Sequence, residues 1–280
     1  MGWWYAGRLL WAGAATACLM CNAVAVAADQ APMQVVKVDG LADPDRQSYR
    51  RMLKGMDAFE KYHHLAPKAE LRYRLYPRLE GVRASGTAMT IQGDTASIAV
   101  ALAGDLSFTL VRDEQALREG AVVTTNRKDR SFAWGPEVRT PGLPPNTWRL
   151  GDLRLQCQID RGASLFVGLK PPAYLLLEAT TDVCSLYPGY WPYYAERAVF
   201  GVSLVNGKRR QMLTSDLLYA NRLPTPIHPF YDMFPFLYER TFMLRVSDTS
   251  WPDDTLVEIE YMDDEAVATA APDAVSAAVE

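Results

Sequence analysis

From residue 69 onward, the chain alternates apolar and polar residues in short segments that turn residues separate. Leu71, Tyr73 and Leu75 alternate with polar neighbours, and this period of two is typical of a β-strand with one buried face. Turn signals such as Gly93-Asp94 follow at short intervals, and short turns join antiparallel neighbours. The pattern predicts a mainly β (α+β) protein with an antiparallel, sandwich-like sheet body.

Other segments share this strand-like composition. We expect strands over 82–91, 96–102, 106–112, 122–126, 131–139 and 149–159. Asn206-Gly207-Lys208 predicts a hairpin between strands at 200–205 and 209–213. A second hairpin is expected between 241–247 and 255–261, around Trp251-Pro252-Asp253-Asp254.

One segment before this region has a helical period. Asp43 is an expected N-cap, Pro44 would occupy the first helical position, and Pro67 would end the helix. The apolar stripe consists of Tyr49, Met52, Leu53, Met56 and Phe59. We therefore expect a single N-terminal amphipathic helix that packs its stripe against a sheet.

The first 27 residues read as a secretory signal peptide. Arg8 precedes an apolar stretch over 9–20, and Ala25 and Ala27 form an A-x-A site that predicts cleavage after Ala27. The stretch is too short for a membrane anchor, so no transmembrane span is expected in the mature chain. These features predict a periplasmic protein; the alternative is a protein that is lipid-anchored at Cys18, where a loose lipobox ends.

The negative charge of the chain is concentrated at its C-terminus. Residues 263–280 hold five acidic residues and no basic one, whereas residues 28–262 hold 28 of each. We expect a disordered acidic tail over 263–280. The neutral body gives no sign of nucleic-acid binding, which would favour a basic excess.

Two cysteines remain after the predicted cleavage, Cys157 and Cys184. In an oxidising compartment such a pair usually forms a disulfide. A redox-active pair is the alternative, but it would typically have C-x-x-C spacing. We expect a structural disulfide.

The domain organisation predicted from these observations has five parts. They are the signal peptide (1–27), a strand and helix (28–67), a first β-rich half (68–168), a second β-rich half with aromatic loops (169–262) and the tail (263–280). Whether the two halves form one domain or two is left open.

The chain carries no recognised motif for a catalytic site, a cofactor or a metal, so none is expected. Asp57, Glu60 and His64 lie near one face of the predicted helix, and His228 could join them around a metal. The simpler interpretation is the polar face of an amphipathic helix. Arg72, Arg74 and Arg78, with the basic turn at 127–130, could bind an anionic ligand, but a solvated sheet face is the simpler interpretation.

Two segments rich in aromatic residues and proline, 187–194 and 229–238, form the candidate binding surface. Proline is expected to keep them out of regular ladders, and rings on stiff loops make broad contact surfaces. The candidate residues are Tyr187, Tyr190, Trp191, Tyr193, Tyr194, Tyr231 and Tyr238. The alternative is that these rings close the end of a β-sandwich core.

These observations favour a non-catalytic binding or scaffolding protein of the bacterial envelope, whose partner is an envelope protein or a glycan. The alternative is an envelope hydrolase that acts on glycan or peptide through loop carboxylates. A deep pocket with two carboxylates of perturbed pKa would favour the hydrolase.

Overall fold

Antiparallel strands dominate the part of the chain that the computed structural model describes, which is residues 43–165, 182–186, 190–219 and 235–263. The strands are β1 (Pro44–Ser48), β2 (Glu70–Pro77), β3 (Met89–Gln92), β4 (Ser97–Val100), β5 (Ser107–Phe108), β6 (Val122–Lys128), β7 (Phe132–Arg139), β8 (Thr147–Arg149), β9 (Trp191–Tyr194), β10 (Val199–Asn206), β11 (Arg209–Met212), β12 (Thr241–Leu244) and β13 (Leu256–Tyr261). The prediction of a mainly β protein with antiparallel sheets is confirmed.

Helices fill the connections between these strands. They are α1 (Tyr49–Tyr62), α2 (Glu114–Arg118), α3 (Leu150–Ala163), α4 (Val183–Leu186) and α5 (Pro235–Tyr238), with short 3₁₀ turns at His63–Leu65 and Ser215–Leu217. No helix among the described residues is long and apolar enough to cross a bilayer. The predicted signal peptide, Cys18 and all of the predicted tail except Asp263 lie outside the described residues.

The strands form four sheets. Their orders are β1-β6-β3-β4, β5-β2-β7, β11-β10-β13-β8 and β12-β9. Strand β8 pairs with β13, so a strand from the first predicted half completes a sheet of the second half. The expected boundary between the halves, at residues 168 and 169, lies outside the described residues.

The buried apolar side chains form two main cores. The first includes Tyr49, Met52, Tyr73, Phe108 and Trp134, from α1 and the first two sheets. The second includes Trp148, Val202, Phe242, Trp251 and Ile259, from the other two sheets and their connections.

Helix α3 lies between the two cores. Leu155 and Ile159 belong to the first core, whereas Leu153 and Cys157 belong to the second. The prediction of a strand over 149–159 is therefore wrong. Asp152 fixes the helix start, because its carboxylate accepts hydrogen bonds from the backbone N–H groups of Arg149 and Thr140, both at 3.1 Å.

Helix α1 confirms the predicted amphipathic segment but begins later than expected. Residues 44–48 form β1, which pairs with β6, and the helix starts at Tyr49. Tyr49, Met52 and Leu53 are buried, while Met56 and Phe59 are partly buried against the first core. The stripe packs on α3 as well as on strands, so the expected sheet is only part of its partner.

Of the two expected hairpins, one forms and one does not. Strands β10 and β11 pair across the Gly207-Lys208 turn, as predicted. Strands β12 and β13 do not pair with each other: β12 pairs with β9, and β13 lies between β10 and β8.

The predicted disulfide between Cys157 and Cys184 is confirmed, with the two Cα atoms 6.0 Å apart. It joins α3 to α4 at the second core. With a sequence separation of 27 residues, such a bond stabilises a fold by about 3.5 kcal/mol on the chain-entropy model. A disulfide is typical of a non-cytoplasmic, oxidising compartment.

Candidate ligand cleft

A cleft of about 180 Å³ opens where β1, the end of β2, the β6–β7 turn, β7, α3 and β9 meet. Its walls come from both predicted halves of the chain. Residues as far apart in sequence as Asp45 and Tyr194 line it. We refer to it as the aromatic cleft, because Tyr76, Trp134, Trp191, Tyr193 and Tyr194 all line it.

One wall of the aromatic cleft is built from rings of the first aromatic segment together with Tyr76. The rings of Tyr76 and Tyr194 are 5.1 Å apart and tilted by 50°. Tyr76, Ala133 and Leu237 form a small buried cluster, and Tyr194 and Tyr238 pack against it. The structure thus brings the described parts of both aromatic segments to the same place.

The remaining candidate rings have different surroundings. Tyr193 is 2% exposed, stacks on Phe242 and donates a hydrogen bond to the Leu153 carbonyl at 2.7 Å, so its ring is part of the core. Tyr190 packs against the second core, as does Trp191 of the cleft lining. Tyr187 and Tyr231 lie outside the described residues.

The first aromatic segment does form a ladder, contrary to expectation. Strand β9, which includes Pro192, pairs with β12 in a two-stranded sheet. Proline is tolerated there because each strand of such a sheet has one open edge that needs no N–H donor. This pairing holds Trp191 and Tyr194 on a strand rather than on a loop.

Asp45 is a buried carboxylate of the cleft. It is 3% exposed and accepts hydrogen bonds at 2.8 Å from the Phe132 N–H and from the Trp134 ring N–H. Burial raises the pKa of Asp45 to about 6, even though both hydrogen bonds act to lower it. The carboxylate ties β1 to the start of β7.

A cluster of charged side chains lies next to the hydroxyl group of Tyr76. Arg74 is 5% exposed and forms ion pairs with Glu196 at 2.7 Å and Glu137 at 3.5 Å. Glu137 accepts a hydrogen bond from the Tyr76 hydroxyl at 3.1 Å. The expectation of a solvated arginine face is therefore wrong for Arg74, because sheet and loop cover both faces of β2.

Charge pairing and burial oppose each other in this cluster. Burial acts to lower the pKa of Arg74, but the neighbouring carboxylates outweigh it and hold that pKa above its usual value. Burial also raises the pKa of Glu137, which Arg74 partly counteracts. The pair links β2 and β7, while Glu196 adds a contact from the second half of the chain.

Among the polar groups of the cleft, Gln156 and the Nε of Arg78 have no hydrogen-bond partner within the described part of the chain. Gln156 is 9% exposed, lines the cleft and makes no side-chain hydrogen bond to the described residues. The buried Nε of Arg78, also in the lining, is likewise without a partner there. Buried polar groups are nearly always paired, which makes the buried Nε of Arg78 an exception, whereas the amide atoms of Gln156 are not fully buried and can pair with a ligand or water.

Arg130 stands at the exposed rim of the cleft, in the tight turn that joins β6 to β7. The Ser131 N–H donates to the Lys128 carbonyl at 3.2 Å and closes the turn. Arg130 has a φ of 65°, in the left-handed region that glycine and asparagine adopt most easily.

The residues considered for a metal site serve a different purpose. Asp57 and Glu60 both pair with Arg112, at 2.8 and 2.9 Å, and so attach α1 to the segment before α2. Within the described ranges, no group of three or more potential ligands is arranged to hold a metal ion. His228 lies outside those ranges.

The predicted aromatic residues include three rings of the cleft, Trp191, Tyr193 and Tyr194, but neither Tyr76 and Trp134 nor the polar groups of the lining. The sequence predicts a helix at Asp45, a strand at Gln156 and a solvated face for Arg78, whereas Asp45 lies in β1 and Gln156 in α3. No local motif marks them, because they come together only when β1, β2 and α3 pack. A period of two over 149–159 concealed the helix that carries Gln156.

Comparison of the chain with protein-family models, with curated protein sequences and with solved structures yields no match.

Proposed function

We propose that this chain is a non-catalytic glycan-binding protein of the bacterial envelope, with the aromatic cleft as its binding site. One observation carries the proposal: the partly exposed rings of Trp191 and Tyr194 line the same cleft as the amide of Gln156, which makes no hydrogen bond to the described residues. A ring offers the flat apolar surface that a sugar face requires. An amide donates and accepts hydrogen bonds, as sugar hydroxyls do.

The size of the cleft limits what enters it. Pockets for drug-sized ligands measure roughly 300–1,000 Å³, and this cleft measures about 180 Å³. It therefore accepts one unit of a longer ligand, such as a single sugar ring of a polymer. Additional units would contact the rim.

The expected location agrees with this function. Residues 1–27 have the pattern of a signal peptide, and export would bring the mature chain to the periplasm, where envelope glycans are exposed. The Cys157–Cys184 disulfide supports an oxidising compartment. Alternatively, a lipid attached to Cys18 would anchor the protein in the same bacterial envelope.

Co-sedimentation with purified peptidoglycan sacculi tests the proposal. The mature chain is expected to sediment with sacculi, and Trp191→Ala is expected to weaken this binding about tenfold or more, because large rings dominate binding energies. Phe200→Ala is the matched control, since Phe200 is 49% exposed and does not line the cleft.

Thermal unfolding of both variants must accompany this measurement. A Trp191→Ala variant that keeps its melting temperature but loses binding supports a role in recognition. A variant that mainly loses stability would assign Trp191 to the closing of the core instead. Wild-type protein that stays in the supernatant would refute the proposal.

A hydrolase remains the second candidate, because Asp45 has a pKa of about 6 and shares the cleft with the buried carboxylate of Asp160. A raised pKa suits a general acid. Against this, both oxygens of Asp45 accept hydrogen bonds from the protein. Dye-labelled sacculi that release dye with wild type, but not with Asp45→Asn or Asp160→Asn, would establish the hydrolase.

A further inference from the structure

We propose that the aromatic cleft selects sugars that carry a carboxylate, and that Arg78 and Arg130 recognise this group. The inference rests on the proposed glycan-binding function and specifies its ligand. Both arginines line the cleft, Arg78 partly buried within it and Arg130 exposed at its rim. The guanidinium group pairs with a carboxylate through two parallel hydrogen bonds.

Arg78 is positioned for this role by the end of β2. Its backbone N–H donates to the Ser131 carbonyl at 3.0 Å, so the residue is fixed beside the β6–β7 turn. Its Nε is buried and has no hydrogen-bond partner in the described ranges. Leaving a charged donor buried and unpaired is costly, and a ligand carboxylate would remove that cost.

Arg130 places a second guanidinium group at the cleft, on its exposed rim in the β6–β7 turn. A guanidinium group carries five N–H donors in a planar fork, so it can pair with a ligand carboxylate in addition to a partner within the protein.

The charge of the cleft lining is balanced, with the arginines Arg46, Arg78 and Arg130 and the aspartates Asp45, Asp129 and Asp160. Asp45 directs both oxygens at protein donors, so it does not compete for the arginines through hydrogen bonds. Selection of a carboxylate therefore depends on its hydrogen bonds to the guanidinium groups rather than on a net positive charge.

Peptide-free glycan strands from sacculi provide the probe, because every second sugar carries a lactyl carboxylate once amidase has removed the peptides. The same strands, with their carboxylates converted to amides, provide the uncharged control ligand. Titration calorimetry should give the wild type about 10- to 100-fold tighter binding to the acidic strands, the range expected for a charge-assisted hydrogen-bond pair.

Three variants sharpen the test. Arg78→Gln and Arg130→Gly should each reduce the preference for acidic strands, while both still bind the amidated strands as wild type does. Thermal unfolding of each variant is measured beside its binding, so that a loss of fold is distinguished from a loss of carboxylate preference. Arg118→Gln, an exposed charge on α2 outside the cleft, should retain the full preference.

The outcomes separate this inference from the function on which it rests. Equal binding of acidic and amidated strands by the wild type would refute carboxylate selection and leave glycan binding intact. Binding of whole sacculi but of neither strand form would assign the recognition to the peptide stems and refute both proposals. A preference that survives in Arg78→Gln and in Arg130→Gly would refute the role of these two arginines.

Discussion

Asp45 shows how a single side chain can serve both the fold and the cleft. It lies in β1, yet its two hydrogen-bond donors belong to β7, a strand of another sheet. The contact explains why residues 44–48 form a strand although Asp43-Pro44 is a favourable helix start. Here a buried polar contact outweighs a local capping preference.

The raised pKa of Asp45 makes a pH-dependent contribution to stability. Between pH 3.8 and about 6 the folded state binds more protons at this residue than the unfolded state does. Its contribution is therefore fully present below pH 3.8 and is lost as the pH rises through about 6. A change of about two pKa units corresponds to at most about 3 kcal/mol.

Urea denaturation of wild type and Asp45→Asn at pH 4 and pH 7.5 measures this contribution. The free energy of unfolding of the wild type, relative to the variant, should decrease by up to about 3 kcal/mol between the two pH values. Other titrating groups, such as Glu137, are common to both proteins and cancel in the difference. A pH-independent difference would show that Asp45 titrates normally.

At the scale of elements, strands were easier to predict than the central helix. The strands at 122–126 and 131–139 and the hairpin at Gly207 followed from period and turn residues. Helix α3 could not be predicted in this way, because its opposite sides face two different cores. Leu153 and Cys157 face one core and Leu155 and Ile159 the other, so apolar residues recur every second position, as in a strand.

The crossing of α1 and α3 depends on small residues. A Cβ added to Gly55 would collide with the Tyr73 hydroxyl and lie 3.0 Å from the Ala163 Cβ. On the other helix, a Cβ at Gly162 would lie 3.0 Å from the Ala58 Cβ. The Tyr73 hydroxyl has little room to move, because it donates a hydrogen bond to the Met52 carbonyl at 2.6 Å.

We therefore expect Gly55→Ala to destabilise the protein by about 2 kcal/mol, although alanine is the better helix former by about 1 kcal/mol. Gly104→Ala is the control, because no atom lies within 4 Å of the added Cβ there, and it should change stability by less than about 0.5 kcal/mol. Urea denaturation measures both. A stabilising Gly55→Ala would mean that the helices are farther apart than described.

At the scale of the whole molecule, the cleft could not be predicted because it has no local sequence signal. Asp45, Arg78, Gln156 and Trp191 are brought together by two sheets, one helix and a separate pair of strands. The clustering of aromatic residues in the sequence indicated Trp191, Tyr193 and Tyr194, but not the cleft rings of Tyr76 and Trp134. The polar groups that line the cleft beside these rings are brought there by long-range packing alone.

The same long-range packing joins the two cores. Helix α3 contributes side chains to both of them. Glu196, which follows β9, pairs with the buried Arg74 of β2 at 2.7 Å. Loss of either core would remove the support of α3 and expose the other core, so the two are expected to unfold together.

Fluorine NMR with 5-fluorotryptophan can test this cooperativity in a protein of residues 28–280, in which Trp134, Trp148, Trp191 and Trp251 each give one signal. Trp134 reports on the first core, and Trp148 and Trp251 report on the second. In urea, the native signals of Trp134 and Trp251 should disappear at the same midpoint. Leu155→Ala removes side-chain atoms from the first core only. It should nevertheless lower both urea midpoints equally, because it reduces the free energy of unfolding of the whole protein by about 2–5 kcal/mol. If the Trp251 midpoint stays unchanged while that of Trp134 falls, the cores are independent and α3 does not couple them.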